Sequence, residues 1–139
     1  MPKPFIVQSV LEAVRSIPDH RKLKVLDLSC GQGEVIAALH DEVARIEGTH
    51  YQVDDYIVKK PLKILNEIKV HENIALDERL PFESGCYDLV IMTEVLEHLP
   101  NHFATMKEVA RIIRPGGSLI LTTPNMARIH SRLSFLLTG

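Results

Sequence analysis

Cysteine is scarce in this chain: Cys30 and Cys86 are the only two in 139 residues. Two cysteines set up neither a disulfide framework nor a metal knuckle, so a reducing cytoplasm is the expected setting. Long apolar runs are missing as well. None approaches the roughly 20 residues that cross a bilayer, and no membrane partner is expected. The opening segment MPKPFIVQSVLEAVRS breaks its apolar pattern with charge and carries no cleavage signature, so it does not read as a secretory leader. Acidic residues stop at Glu108, while Arg111, Arg114, Arg128 and Arg132 follow. That stretch reads as a solvated basic face, and a net charge of -2 argues against a nucleic-acid partner. Internal repeats and low-complexity segments are absent too.

What is present describes one packed domain over residues 1–139, with 45% hydrophobic and 24% charged residues. Val7, Val10, Leu11 and Val14 recur at helical spacing before Pro18, which places an N-terminal helix within residues 1–22. A core over residues 23–125 then alternates the two periods. KVLDL reads as a strand, and Ile36, Leu39, Val43 and Ile46 mark a helix that Gly48 would stop. HYQVD reads as a second strand. Pro61 opens a helix carrying Leu62, Leu65 and Ile68, and NIAL is a third strand. YDLVIMT, apolar throughout, is a strand buried on both faces. Phe103, Met106, Ala110 and Ile113 mark a helix ended by Pro115 and Gly116, and SLILTT is a fifth strand. Residues 126–139 repeat Met126, Ile129, Leu133 and Leu136 as a helical tail. Alternating strands and helices predict an α/β fold: a Rossmann-like, doubly wound, mainly parallel sheet with helices on both faces.

In such sheets ligands bind beyond the carboxyl ends of the strands. The residues there are Asp27 to Gly33, Asp54 and Asp55, Asp77 and Glu78, Thr93 to His98, and Thr123 to Asn125. In VLDLSCGQGEV, Gly31 and Gly33 permit positive φ and bring backbone amides close to a ligand beside a helix N-terminus. Asp54 lies about 20 residues beyond that turn, where a carboxylate accepts hydrogen bonds from a ribose diol. The dinucleotide fingerprint needs a third glycine, and this chain has Ile36 there, which disfavours a nicotinamide-dependent oxidoreductase. No G-x-x-x-x-G-K-[ST] is present either.

VLDLSCGQG, YQVDD, LDERLPFESGCYDLVIMTEVLEHLPN and RIIRPGGSLILTTPN, in that order, resemble the motifs of the class I S-adenosylmethionine-dependent methyltransferases. The likeness is to the small-molecule branch that includes the ubiquinone and menaquinone biosynthesis enzymes. It runs over residues 23–125 and implies strand order 3-2-1-4-5. It also implies S-adenosyl-L-methionine as cofactor and methyl transfer to a small-molecule acceptor. By that resemblance Gly31 and Gly33, with Ser29 and Cys30 in the same turn, would admit the methionine end, and Asp27 would anchor the turn. Asp54, with Asp55 beside it, would bind the ribose. Asp77 and Glu78 would border the adenine, while Thr93 and Glu94 would line the floor near the methyl group. The family usually has glycine where this chain has Ser29, whose Cβ would crowd the turn. Family members also continue past the fifth strand with two more strands, so the C-terminal strands are expected to be missing here. The exposed fifth-strand edge, or the tail, is then expected to pair two copies as a homodimer.

The chemistry asks mainly for in-line alignment of a nucleophile with the methyl carbon. His98 is the candidate general base, an imidazole being available near neutral pH. Its other reading is a helix-start histidine that orients the loop. Glu94, Glu97 and His98 at i, i+3 and i+4 would share a helical face, an arrangement similar to the metal-binding motif of small-RNA 2'-O-methyltransferases. With no further ligand to place beside them, no metal is expected. Cys30 and Cys86 read as small core residues, since neither has a base nearby in sequence. A non-catalytic cofactor-binding module remains the alternative to an enzyme.

Overall fold

A computed structural model describes residues 4–51 and 62–124. Its five strands are β1 (Lys24–Asp27), β2 (Arg45–Thr49), β3 (Lys69–His71), β4 (Tyr87–Thr93) and β5 (Ile113–Thr122). They form one sheet in the order β3-β2-β1-β4-β5, every pair parallel. The expected doubly wound order is therefore present. Among the described residues three α-helices flank it: α1 (Pro4–Ser16), α2 (Glu34–Leu39) and α3 (His102–Ile112).

The alternation of side chains along β1 and β4 builds two cores, one on each face of the sheet. Val25, Leu89 and Ile91 pack under Val10 and Val14 of α1 and Ile36 and Leu39 of α2. Leu26, Val90 and Met92 face the other way, against Val109 and Ile112 of α3. An unbroken apolar run such as YDLVIMT is what two-sided burial requires, and β4 covers those seven residues as expected.

Other boundaries differ from the sequence expectation. The helix carrying Ile36 ends at Leu39, and Ile46 lies in β2. Gly48 is no helix stop. It sits within β2, where a Cβ would lie 2.7 Å from the Cys30 sulfur. The second strand is therefore RIEGT, which ends just before HYQVD, whose last three residues lie outside the described ones, and NIAL is not the third, because KVH holds that place. The expected helix after Pro61 is a short 3-10 turn over Lys63–Asn66. On α3 the buried stripe is Thr105, Val109 and Ile112, about one residue away from the expected one, and Phe103 is 91% exposed. Asn101 caps that helix by accepting the Ala104 N–H at 3.0 Å. β5 begins at Ile113 rather than Ser118: Tyr87 pairs Ile113 and Leu89 pairs Ser118, so four residues of β5 stand against one of β4 between those pairs. The expected tail helix lies outside the described residues.

Glu47 on β2 is a buried charge with three partners. It accepts from His71 at 2.7 Å, Tyr87 Oη at 3.2 Å and Arg45 at 2.9 Å. Burial works to raise its pKa, yet the His71 hydrogen bond and the Arg45 charge outweigh it and hold the carboxyl below the ordinary range. A second clasp ties α3 to the loop after β3. Arg111 donates to the carbonyls of Phe82 at 2.7 Å and Leu80 at 3.0 Å and pairs with Glu108 at 2.6 Å. Glu108 in turn accepts the Leu80 N–H at 2.9 Å. The Arg111 hydrogen bond, offset in part by burial, holds Glu108 down to about 2.

A lowered carboxyl stabilises the fold above its ordinary pKa of 4.5 and loses that contribution as pH falls toward about 2. Glu108→Gln should therefore destabilise the protein by about 1–2 kcal/mol at neutral pH, the pair touching solvent. Urea unfolding should show parent and variant converging as the pH is taken from 4.5 toward 2.

Candidate functional site at the carboxyl ends of the strands

β1 ends in Asp27, and the chain then turns through Leu28 to Gly33 into α2. The turn needs left-handed backbone three times: Ser29 at φ 64, Gly31 at φ 54 and Gly33 at φ 94. β2 holds the turn in place. Thr49 accepts the Ser29 N–H on its hydroxyl at 2.9 Å and the Cys30 N–H on its carbonyl at 3.0 Å. His50 Nε2 lies 2.9 Å from the Gly31 carbonyl, to which its N–H donates, and 3.2 Å from the Cys30 sulfur.

Cys30 thus has an imidazole beside it in space, although none is near in sequence, and the nitrogen that faces it carries the proton given to Gly31. Burial pushes its thiol up to about 12, with the neighbouring Asp27 charge adding to the effect. The thiol stays protonated and packs as a small core residue. Gly33 is closed in, since a Cβ there would lie 2.8 Å from Leu65 Cδ2. Gly31 is open, with nothing within 4 Å of the position a Cβ would take.

A cleft of about 360 Å³ opens beside the turn. Ser29, Cys30, Gly31 and Val35 form one wall, and Thr93, Glu94, Val95, Glu97, His98 and Pro124 form the other. Six of the predicted site residues, Ser29, Cys30, Gly31, Thr93, Glu94 and His98, therefore meet in one place. Gly33 stands at the N-terminus of α2. Asp77 and Glu78 follow β3 and are not among the residues lining the cleft. Asp54 and Asp55 lie outside the described residues.

Glu94, Glu97 and His98 do not share a helical face. Glu94 follows the last residue of β4 at φ 53, and its N–H is bonded to the Thr122 carbonyl at 3.0 Å. Only Leu96–His98 form a single 3-10 turn. His98 is 78% exposed, with Nε2 4.0 Å from Glu97. Among the described residues no three His, Cys, Asp or Glu side chains converge as a metal site.

Two acids are anomalous. Asp27 is 1% exposed, and its two carboxylate oxygens have no hydrogen-bond partner among the described residues. Both carboxylate oxygens of Glu34, the first residue of α2, are likewise buried and unpartnered. Burial, reinforced by Glu34, pushes Asp27 up to about 8. Thr49, His50 and Glu34 were not singled out from sequence. Only the placement of β2 five residues earlier than expected would have pointed to the first two.

The sequence model of the family described as "Methyltransferase domain" matches residues 6–137. Among curated proteins, the chain is similar to the ubiquinone biosynthesis O-methyltransferase of Escherichia coli, at 29% identity over 103 residues. That alignment covers 73% of this chain but 43% of the relative, so the chain spans less than half the relative's length. Among solved structures, the YcgJ protein of Bacillus subtilis superposes with a TM-score of 0.70 at 16% identity, over 84% of this chain and 49% of that one. The trans-methyltransferase CalH, in complex with S-adenosylhomocysteine, gives 0.64 at 20% identity, over 79% and 34%. At these identities the superpositions establish the fold.

Ser29 occupies left-handed backbone, and among the described residues its hydrogen bond in the turn is made through its backbone N–H. Ser29→Gly should relieve the strain and stabilise the protein by up to about 1 kcal/mol, the glycine's own entropy cost being subtracted. Thermal unfolding of the two proteins checks this.

Proposed function

The chain belongs to the class I S-adenosylmethionine-dependent methyltransferases, and from that premise we propose that it carries the cofactor half of an enzyme methylating a small-molecule acceptor. The observation that carries the reading is the open turn at Gly31, set over a cleft whose far wall ends in Glu94 and His98. A Cβ-free residue with space before it is what a ligand approaching the backbone requires, so the residues present fit the cofactor.

Ser29, Cys30, Gly31 and Gly33 would hold the methionine end. Asp54 and Asp55 would hold the ribose. Asp77 and Glu78 would border the adenine from the loop that Glu108 and Arg111 clasp. Thr93 and Glu94 would form the floor. When bound, the cofactor supplies an already activated methyl group, so alignment is the main demand on the protein. His98, exposed at the rim of the cleft, would take the proton of a hydroxyl acceptor.

The free thiols of Cys30 and Cys86 support a reducing cytoplasmic location. Among the described residues no helix is long and apolar enough to cross a membrane. The outer edge of β5 pairs with no strand among the described residues, and Leu121 is 38% exposed there. That edge supports a homodimer.

Asp54→Ala should weaken S-adenosylhomocysteine binding by about 1–3 kcal/mol, because the ribose hydroxyls lose a charged acceptor. Calorimetry reads this directly, and equal affinity in parent and variant removes Asp54 from the site. Transfer of a labelled methyl group across a panel of phenols, amines and carbon acids then tests the enzymatic reading against a binding module. Light scattering over a concentration series should show a dimer, and a monodisperse monomer throughout would remove the β5 edge as an interface.

A further inference from the structure

The hydrogen bonds of His50 carry a second conclusion, which rests on the cofactor reading above. That reading divides the ligand between two separate stretches of chain, the glycine turn after β1 and the loop after β3. A ligand spanning both gains affinity where the two are already held in register, because ordering them at the moment of binding has a cost.

His50 follows the last residue of β2 and is 8% exposed. Its ring donates from Nε2 to the Gly31 carbonyl at 2.9 Å. Its backbone N–H donates to the carbonyl of His71, the last residue of β3, at 2.8 Å. Its own carbonyl accepts the N–H of Ile74, in the loop after β3, at 2.8 Å. Among the described residues, His50 alone is hydrogen-bonded both to the turn and to that loop. Thr49 fastens Ser29 and Cys30 to β2 without reaching the loop.

The far side of this connection is firmly seated. Ile74, Leu76 and Leu80 are buried in the core that α3 covers. The His71 ring is held by Glu47 at 2.7 Å and meets the Phe82 ring edge-on, with centroids 4.9 Å apart. Phe82 meets the Tyr87 ring in the same manner at 5.4 Å, and Tyr87 Oη bonds the same Glu47 oxygen.

We propose that His50 is a positioning residue that couples the glycine turn to the loop after β3, so that the two halves of the cofactor site open and close as one unit. The ring makes the coupling specific to histidine, since the two backbone bonds survive a change of side chain. A side chain without a donor leaves the Gly31 carbonyl unpaired while the loop keeps its place. No contact between the ring and the ligand is needed.

Two measurements on the intact chain decide this. The first uses no ligand and reads local opening by amide hydrogen exchange. In the parent, the Cys30, Gly33 and Ile74 amides should share one protection factor to within about threefold. In His50→Leu, checked for folding by thermal melt, Cys30 and Gly33 should exchange about three- to tenfold faster while Ile74 changes little. His50→Gln, whose terminal amide offers a donor near the Nε2 position, should restore the parent values. A turn that opens far more readily than Ile74 in the parent, or that His50→Leu leaves unchanged, overturns the proposal whether or not any ligand binds.

In the second, S-adenosylhomocysteine and adenosine are titrated calorimetrically, adenosine lacking the amino-acid end that the turn would hold. The ratio of their association constants should fall about three- to tenfold in His50→Leu and recover in His50→Gln. An equal loss for both ligands marks a purely structural residue and overturns the proposal, as does an unchanged ratio. No binding of either ligand by the parent removes the cofactor reading, and hydrogen exchange then decides the coupling by itself.

Discussion

Both oxygens of Thr49 accept backbone N–H groups from the turn that follows β1, and the arrangement of the cleft depends on that attachment. The turn contains three departures from ordinary backbone geometry at alternate residues, Ser29, Gly31 and Gly33. A loop of that kind unfolds locally unless its neighbours over-determine it. Thr49 does so from the adjacent strand, His50 secures the Gly31 carbonyl, and the Gln32 carbonyl accepts the Leu62 N–H at 2.9 Å. The close fit of Gly48 against Cys30 and Ile36 brings β2 near enough for these bonds to form. Packing inside the sheet thereby sets the geometry of a surface turn.

The opposite wall is fixed in a comparable way. Glu94, directly after β4, is in left-handed backbone, and its N–H is held by Thr122 at the end of β5. The ends of two neighbouring strands are thus joined, and Thr93 and Glu94 present themselves to the cleft from a rigid base. Sites supported by strand ends keep their geometry better than sites on free loops.

Much of this was legible in the sequence, and the exceptions share a cause. The two-sided burial of β4 is written in YDLVIMT, and a doubly wound parallel sheet follows from the alternation of elements together with the right-handed crossover rule, while the strand order came from the family resemblance. The first turn was readable because its glycines stand where a strand gives way to a helix. The second strand was misplaced because Gly48 has two physical meanings, a helix end or a point of close packing, and sequence does not separate them. That one ambiguity shifted β2, hid Thr49 and His50, and carried the third strand along with it. The face of α3 was misjudged for another reason: Phe103 suits an apolar stripe by type, whereas Thr105, a polar residue, is the one buried. Glu34 gave no signal at all, because a glutamate in the first turn of a helix ordinarily serves the helix dipole in water.

The clasp on the loop after β3 has a bearing on biosynthesis. Leu80 and Phe82 are tied by Glu108 and Arg111, which lie 28 to 31 residues later in the chain. A polypeptide growing from its N-terminus completes the whole glycine turn, its supporting strand and the loop itself before the residues that fasten that loop are made. Closure of long-range contacts waits on the later partner. On a nascent chain the two sides of the cleft therefore mature at different times, with the turn before the loop. Any shortened version that stops ahead of Arg111 keeps the letters of the motif and loses the fastening that gives them a shape.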